Sequence, residues 1–432
     1  MNSTGSFEPD SPFSRARERD RKIAAIRSAA AHRFNRWGVR GARLEDIAAD
    51  LGLTKTSIAY YYASKEALVE DVFLSADAFL EEAIEAANKV PGTATDRLYK
   101  LFEAYAHQVA ETLTNRRPHA AWFQELDVLS EEVQERITKR LSDSVASVNQ
   151  LVSTWHEETG EPLGRTEPAT YFIFGLLDWM NGWPDDQSPE AFTAAAQELL
   201  KIISHGIAVS SEALTTEMPS FGSGEDVPQI FDREARNRMK REAFLRAGTR
   251  YFNSHGYEGV SLAEVAASLG VTRGAFYYHI PDKEKFLDQC FERSLETVES
   301  ALNEVEKDHT GLTVIEHVLT RLIYQQASGV TPLIRPGLVA ALPPPRQKRL
   351  QVRLRNVSRR LGDALELAIA SGAAQPLDTE IVEKILTNVI FLNGGYTIAA
   401  ANLFRDWRMS EDPYLAAKDY LYLLLYGLKG GS

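Results

Sequence analysis

The sequence predicts an all-α protein built from two tandem copies of one helical unit. Three observations lead there. Apolar residues recur at helical spacing along nearly all of the 432 residues, while strand-like alternation bounded by hairpin signals is missing. Phe34 to Leu68 reappears 218 residues later, without a gap, as Phe252 to Phe286, with 13 of 35 positions identical. A repeat of that period is too long for a solenoid unit and marks a duplicated domain. Finally, Thr215 to Phe231 (TTEMPSFGSGEDVPQIF) carries two prolines, two glycines and no helical stripe, and reads as a linker over 215–231 between the copies.

Taken in order, the periodicity predicts helices near 18–37, 44–51, 55–61, 65–89, 94–114, 119–128, 130–159, 167–183 and 188–213. The second half repeats them near 232–255, 262–269, 273–279, 283–307, 312–328, 333–341, 344–371, 378–404 and 412–428. The opening residues MNSTGSFEPDSPFS lack the apolar run of a secretion signal and predict a disordered arm over 1–17. Fully extended, the linker reaches roughly 55 Å. It holds the halves at an effective concentration of order millimolar.

At 44% apolar and 25% charged, the composition is that of a soluble globular chain. Apolar runs are short or broken by charge, which predicts no membrane span. Cys290 is the single cysteine, so no disulfide can form within the chain. A cytoplasmic location is expected. The nine histidines show no metal-ligand spacing, and there is no glycine-rich phosphate loop and no G-x-S-x-G nucleophile motif. No enzyme activity, cofactor or metal is therefore expected. Cys290, on the apolar face of a helix, is expected to be a buried inert thiol.

The net charge of −12 argues against a nucleic-acid partner until its distribution is considered. Residues 14–55 hold eleven Lys and Arg against five acids, and residues 232–273 hold eight against five. These two segments are net +6 and +3, which leaves −21 for the rest of the chain. Cations concentrated at the start of each copy would draw phosphates to one end and repel them from the body.

The second copy is the cleaner motif. Ser261, three residues before Glu264, predicts a capping box at the start of a helix. Leu262, Val265, Ala266 and Leu269 give that helix one apolar stripe, and Gly270 is suited to end it. Thr272 predicts the cap of the next helix. Two short helices joined by a tight glycine-containing turn form a helix-turn-helix whose second helix enters a major groove of double-stranded DNA. Arg273, Gly274, Tyr277, Tyr278 and His279 supply donors, a close approach and aromatics for phosphates or base methyls. Lys283 then stands in the first turn of the following helix, against the helix dipole. Local stability does not account for a lysine there, whereas a phosphate before the helix end would, and Lys65 repeats the arrangement.

These residues, Phe252, Gly256, Ser261, Val265, Ala266, Gly270, Val271, Thr272, Gly274, Tyr277, His279, Lys283 and Glu284, resemble the N-terminal domain of the TetR family of transcriptional regulators. More loosely, the order of the following helices resembles the family over nearly the whole chain, twice. The first copy departs from the pattern. Arg43 replaces the usual Thr or Ser, Thr56 the glycine, and Ala59 the tyrosine, although Tyr60, Tyr61 and Tyr62 follow directly. DNA contacts are expected there from Arg43, Thr54, Lys55, Thr56, Ser57, Tyr60, Tyr61 and Lys65, with a different base preference.

The resemblance implies domains at 18–64 (first helix-turn-helix), 65–214 (first ligand-binding and pairing domain), 232–282 (second helix-turn-helix) and 283–432 (second ligand-binding and pairing domain). It implies pairing through 167–183 with 188–213 and 378–404 with 412–428, giving an intramolecular pseudo-dimer or, alternatively, a homodimer with four DNA-reading heads. A small hydrophobic or aromatic effector is expected in cavities lined by Trp122, Phe123, Trp155, Tyr171, Phe174 and Trp179, and by Tyr324, Phe391 and Tyr396. Gly175 to Trp183 is similar to the penultimate helix of relatives that sense acyl-CoA thioesters or steroid and aromatic breakdown products. The run Arg346, Lys348, Arg349, Arg353, Arg355, Arg359 and Arg360 is either a solvated helix face or a place for the phosphates of such a thioester. The whole reads as a ligand-responsive repressor on two unlike half-sites. The competing reading is a sensor acting by protein contact through degenerate heads.

Overall fold

A computed structural model of the chain describes residues 12–114, 116–121, 125–160, 166–181, 188–210, 233–403 and 413–428. The first half comprises α1 (Pro12–Gly41), α2 (Leu44–Asp50), α3 (Lys55–Ala59), α4 (Lys65–Asn88), α5 (Ala94–Leu113), α6 (Glu131–Thr159), α7 (Thr166–Asn181) and α8 (Pro189–His205). The second comprises α9 (Arg233–Gly259), α10 (Leu262–Ser268), α11 (Arg273–His279), α12 (Lys283–Val305), α13 (Leu312–Ala327), α14 (Pro344–Ala370), α15 (Thr379–Leu403) and α16 (Pro413–Tyr426). The fold is all-α and the helix order runs twice. The expected linker lies outside the described residues.

Equivalent side chains build the two small head cores. Phe34, Ile47, Ile58 and Leu68 are fully buried in the first, as are Phe252, Val265, Phe276 and Phe286 in the second. Each pair differs by 218 in number, so the duplication preserves packing as well as helix order. Burying side chains of this size contributes roughly 1.5–3 kcal/mol apiece. Behind each head, α5 packs on α4, α6 and α8, while α13 packs on α12, α14, α15 and α16.

Four expectations need correction. The helix expected at 119–128 is not formed over its described part, where Leu126–Val128 make only a 3-10 turn. The helix expected at 333–341 is likewise a 3-10 turn, Pro336–Ala341. Pro332 and Pro336 remove amide donors there, and side chains of the heads take over the loop's polar groups. Asn35 Nδ2 donates to the Ala120 carbonyl at 2.9 Å, and Asn253 Nδ2 to the Leu333 carbonyl at 2.8 Å. The helix expected at 188–213 stops at His205, because Gly206 takes φ 71°. The next residues stay apolar, which mimics a continuing stripe, but they cross to the other half. Ala208 N donates to Leu425 O at 2.7 Å and Val209 N to Ala373 O at 2.9 Å. At the other end, α1 starts at Pro12, inside the arm expected to be disordered to residue 17.

The halves meet in two places. In the body, α16 packs on α7 and α8, and α15 on α7. Phe172 and Tyr420 meet edge to face there at 5.2 Å, and Glu198 accepts the Asp378 amide at 3.1 Å. At the heads, α1 packs directly on α9. Both helices kink near their ends, at Gly38 (φ 79°) and Gly256 (φ 64°), where the chain enters a region that side chains disfavour. These kinks carry α1 and α9 beyond the ends that periodicity predicts, and bring the two glycine backbones together. A Cβ on Gly256 would stand 3.2 Å from Gly38 Cα, and one on Gly41 would collide with the Glu258 side chain.

Candidate nucleic-acid interface

Each head presents a short helix on a capped turn. Thr54 accepts the Ser57 amide at 3.2 Å to open α3, and Thr272 accepts the Ala275 amide at 3.3 Å to open α11. Gly52 and Gly270, each at φ 65°, end the preceding helices. The capping box expected at Ser261 is not formed, because its hydroxyl makes no capping bond. Arg43 likewise makes no cap. Two caps that the sequence reading passed over are Ser64 and Asp282, which accept the Ala67 and Lys285 amides at 3.1 and 2.7 Å. Both stand one residue before a helix, the position that favours Ser and Asp.

Ile58 and Phe276 anchor α3 and α11 in their cores, and the opposite faces stay open. Tyr60 and Tyr278, equivalent in the repeat, are each 80% exposed, and Tyr277 is 45% exposed. Each ring has one edge-to-face neighbour in its own head, Tyr61 at 5.1 Å and His279 at 5.0 Å, and leaves the rest of its surface to solvent. Around it the surfaces differ. Arg43, Thr54, Lys55 and Thr56 are exposed in the first head, with Ser57 and Tyr61 half-buried. Thr272, Arg273 and Gly274 are exposed in the second, with Ser261 and His279 half-buried. His279 rests on Phe244 (5.6 Å) and Tyr278 (5.0 Å), so part of its surface serves packing.

Several of the clustered cations are engaged within the protein. Arg33 holds Asp50 through two bonds of 2.5 and 2.7 Å and lies over the Trp37 ring at 4.8 Å. That pairing keeps the Asp50 carboxyl below the usual carboxylate range. Arg27 bonds Asp71 at 2.6 Å. Lys55 pairs with Glu45 at 2.8 Å, but both are exposed, and a pair so open to water is weak and readily exchanged for a phosphate.

Lys65 and Lys283 have local partners that the sequence reading did not foresee. Lys283 Nζ donates to Glu258 O at 3.0 Å and lies 4.7 Å from the Tyr257 ring centre; Lys65 Nζ donates to Arg40 O at 3.4 Å. Burial holds both ammonium groups below the usual lysine range, with Glu258 and Glu125 respectively opposing it. Each lysine therefore ties the start of α4 or α12 to the end of α1 or α9. The expectation that local stability gives no reason for them is corrected.

The expected effector residues are dispersed. Trp122 and Phe123 lie outside the described residues, as does the side chain of Tyr396. Trp155, Trp179 and Phe391 are buried in one core that runs through both halves, with Phe174 and Tyr324 packed against it. Tyr171 packs against the core of the first head, where Phe174 also reaches. Trp155 donates its indole N–H to Thr95 Oγ1 at 3.1 Å, a bond that fixes it as a packing element. A cavity of about 440 Å³ opens elsewhere, between the first head and the loop before α6, lined by Val39, Arg40, Lys65, Glu66, Val128 and Leu129. In the Arg346–Arg360 run, Arg346, Arg349 and Arg353 pair with acids of α12 and Arg360 with Glu306 just past its end, so the run's main partners are carboxylates of its own chain. Cys290 is buried and its thiol is pushed up to about 12 by desolvation. No group among the described residues could hold a metal ion, and no described helix is long and apolar enough to cross a membrane.

Comparison with known proteins matches the two heads and, for some relatives, a stretch nearly as long as one half of the chain. The family model for bacterial regulatory proteins of the tetR family matches residues 26–72 and again 244–290. The HTH-type transcriptional regulator AcrR of Shigella flexneri is 32% identical over 89 residues, which are 19% of this chain and 40% of that protein. The uncharacterized HTH-type transcriptional regulator YhgD of Bacillus subtilis is 24% identical over 206 residues, 45% of this chain and 97% of that one. Among solved structures, a TetR-family regulator from Bordetella parapertussis matches 42% of this chain and 93% of its own, at 19% identity and a TM-score of 0.37. AibR, solved with isovaleryl coenzyme A and operator DNA, matches 42% of this chain and 97% of its own, at 17% identity and a TM-score of 0.33.

Proposed function

We propose, for a chain that belongs to the tetR family of bacterial regulatory proteins through two tandem copies of its N-terminal module, that it is a ligand-responsive transcriptional repressor working as an intramolecular pseudo-dimer. The observation that carries this is the pair of equivalent helices, α3 and α11. They share an exposed tyrosine, Tyr60 and Tyr278, and surround it with unlike residues, Lys55-Thr56-Ser57 against Arg273-Gly274-Ala275. Two unlike readers joined in one body fit one DNA site with two unlike half-sites. Contacts of α7 and α8 with α15 and α16 support pairing within the chain.

The effector we propose is a small hydrophobic or aromatic molecule, of which an acyl-CoA thioester is one form. It enters the helical body and shifts α4 and α12. Lys65 and Lys283, at the first turns of these helices, pass the shift to the ends of α1 and α9 and so to the readers.

The test is to incubate the purified chain with fragmented DNA of its own genome and sequence what it retains. A compact motif of two different half-sites supports the proposal. A clean palindrome supports a four-headed homodimer instead. Weak retention of every sequence, at low salt only, supports a sensor that acts through protein contacts.

A further inference from the structure

Glu125 stands apart from every other residue described. It is the single non-glycine residue among them with positive φ (54°, ψ 38°), it is charged, and it is only 6% exposed. A carboxylate in a strained backbone and out of water persists only where its surroundings hold it. Those surroundings are the junction of the two heads. Glu125 Oε2 accepts the Arg40 amide at 2.7 Å, at the end of α1. Its Oε1 lies where a Cβ on Gly38 would come within 2.5 Å and one on Gly256 within 3.2 Å. The carboxylate thus fills the cleft between one glycine of each head, and any side chain at Gly38 would displace it. Lys65 is close enough to feel its charge.

The residue belongs to neither head. It precedes the turn Leu126–Val128, which leads into α6 of the first body. Ser130, at the start of α6, donates its amide to Glu66 on α4 at 2.7 Å, so this loop is bound to the helix that carries the first head. The second half offers no such group. Counted from the carbonyl that Asn35 or Asn253 holds, at Ala120 or Leu333, the position five residues on is Glu125 in one half and Leu338 in the other. The turn Pro336–Ala341 also packs on both α1 and α9, but with an apolar side chain.

We infer that Glu125 is a positioning residue for DNA reading: one carboxylate from the first body, bonded to the first head and wedged against Gly256 of the second, sets the spacing of α3 and α11. A movement of α6 that withdraws it removes a charged wedge from the contact of α1 with α9, where the second body's turn Pro336–Ala341 offers only an apolar side chain. This rests on the reading of α3 and α11 as DNA readers, but its test does not require DNA.

In the full-length chain, Ala59 and Ala275, exposed on α3 and α11, are replaced by cysteine and spin-labelled; Cys290, being buried, stays unlabelled. The distance between labels is then measured by pulsed electron resonance. Glu125→Gly removes the wedge while glycine keeps the backbone at ease, so loss of fold is not the expected result. Glu125→Gln keeps the accepting oxygen. Leu338→Ala samples ordinary loosening of the equivalent loop. The unaltered protein and Glu125→Gln should give one narrow distance, as should Leu338→Ala, whereas Glu125→Gly should give a broad distribution shifted to longer distance. An unchanged distance in Glu125→Gly, or equal broadening in Leu338→Ala, overturns the inference. A parallel measurement without labels, on DNA retained by the unaltered chain, should show Glu125→Gly losing affinity for paired half-sites but not for a single one. If the unaltered chain binds no DNA, the regulatory reading fails, while the distances still decide whether Glu125 holds the heads.

Discussion

At the scale of single residues, hydroxyls that look alike in the sequence do different work. Thr272 caps α11 and Ser261 caps nothing. Thr272→Ala should therefore cost about 1 kcal/mol, and Ser261→Ala less than about 0.5 kcal/mol, compared by chemical denaturation. Lys283 combines a bond to the Glu258 carbonyl with a place at the front of α12. Lys283→Ala should lower stability by about 1 kcal/mol and reduce the salt slope of DNA binding by about one unit. A fall in stability with an unchanged slope would make the lysine a clamp alone. Asp50 gives the pH dependence: Arg33 lowers its carboxyl in the folded state. The stabilisation is thus present above the ordinary carboxylate pKa and is lost as pH falls through the lowered folded value. Arg33→Ala should flatten that acid limb when thermal unfolding is followed against pH.

At the scale of elements, helical periodicity located the sixteen helices of the described residues well because nearly all of them bury one stripe. It failed where another half of the molecule takes over. Ile207 and Ala208 look like more of α8 but are buried against the end of α16, after Gly206 has ended the helix. The segments leading to the turns Leu126–Val128 and Pro336–Ala341 look helical because they are largely apolar, yet asparagines on α1 and α9 hold them by the Ala120 and Leu333 carbonyls. Asn35 and Asn253 were legible in principle, since both are identical positions of the repeat. Gly256→Ala should destabilise the second head by at least about 1 kcal/mol, since it adds strain at positive φ to a backbone contact with Gly38. Denaturation midpoints measured with and without the exchange would show it.

At the scale of the whole molecule, the proposed pseudo-dimer uses the contacts of α7 and α8 with α15 and α16 in place of contacts with a second chain. The chain should therefore run as a single 48.2 kDa species in light scattering at micromolar concentration. A mass twice that would favour the four-headed assembly. The helices α3 and α11, the proposed readers, were legible in the sequence because a turn and a cap are local features. The expected effector residues were less legible, since Trp155, Trp179 and Phe391 pack in a common core, and an aromatic that lines a cavity looks the same in sequence as one that fills it.

The sequence by itself determined the class of fold, the duplication, the two helix-turn-helix heads and the residues on their open faces. All of these depend on contacts between neighbours within a few turns, which periodicity, caps and repeat spacing record directly. Only the tertiary structure decided which cations are engaged internally, that Lys65 and Lys283 clamp the heads, and that α1 meets α9 across Gly38, Gly256 and Glu125. Those depend on residues 17 to 218 positions apart in the chain, brought together by helix packing, and no local pattern encodes which of them will meet.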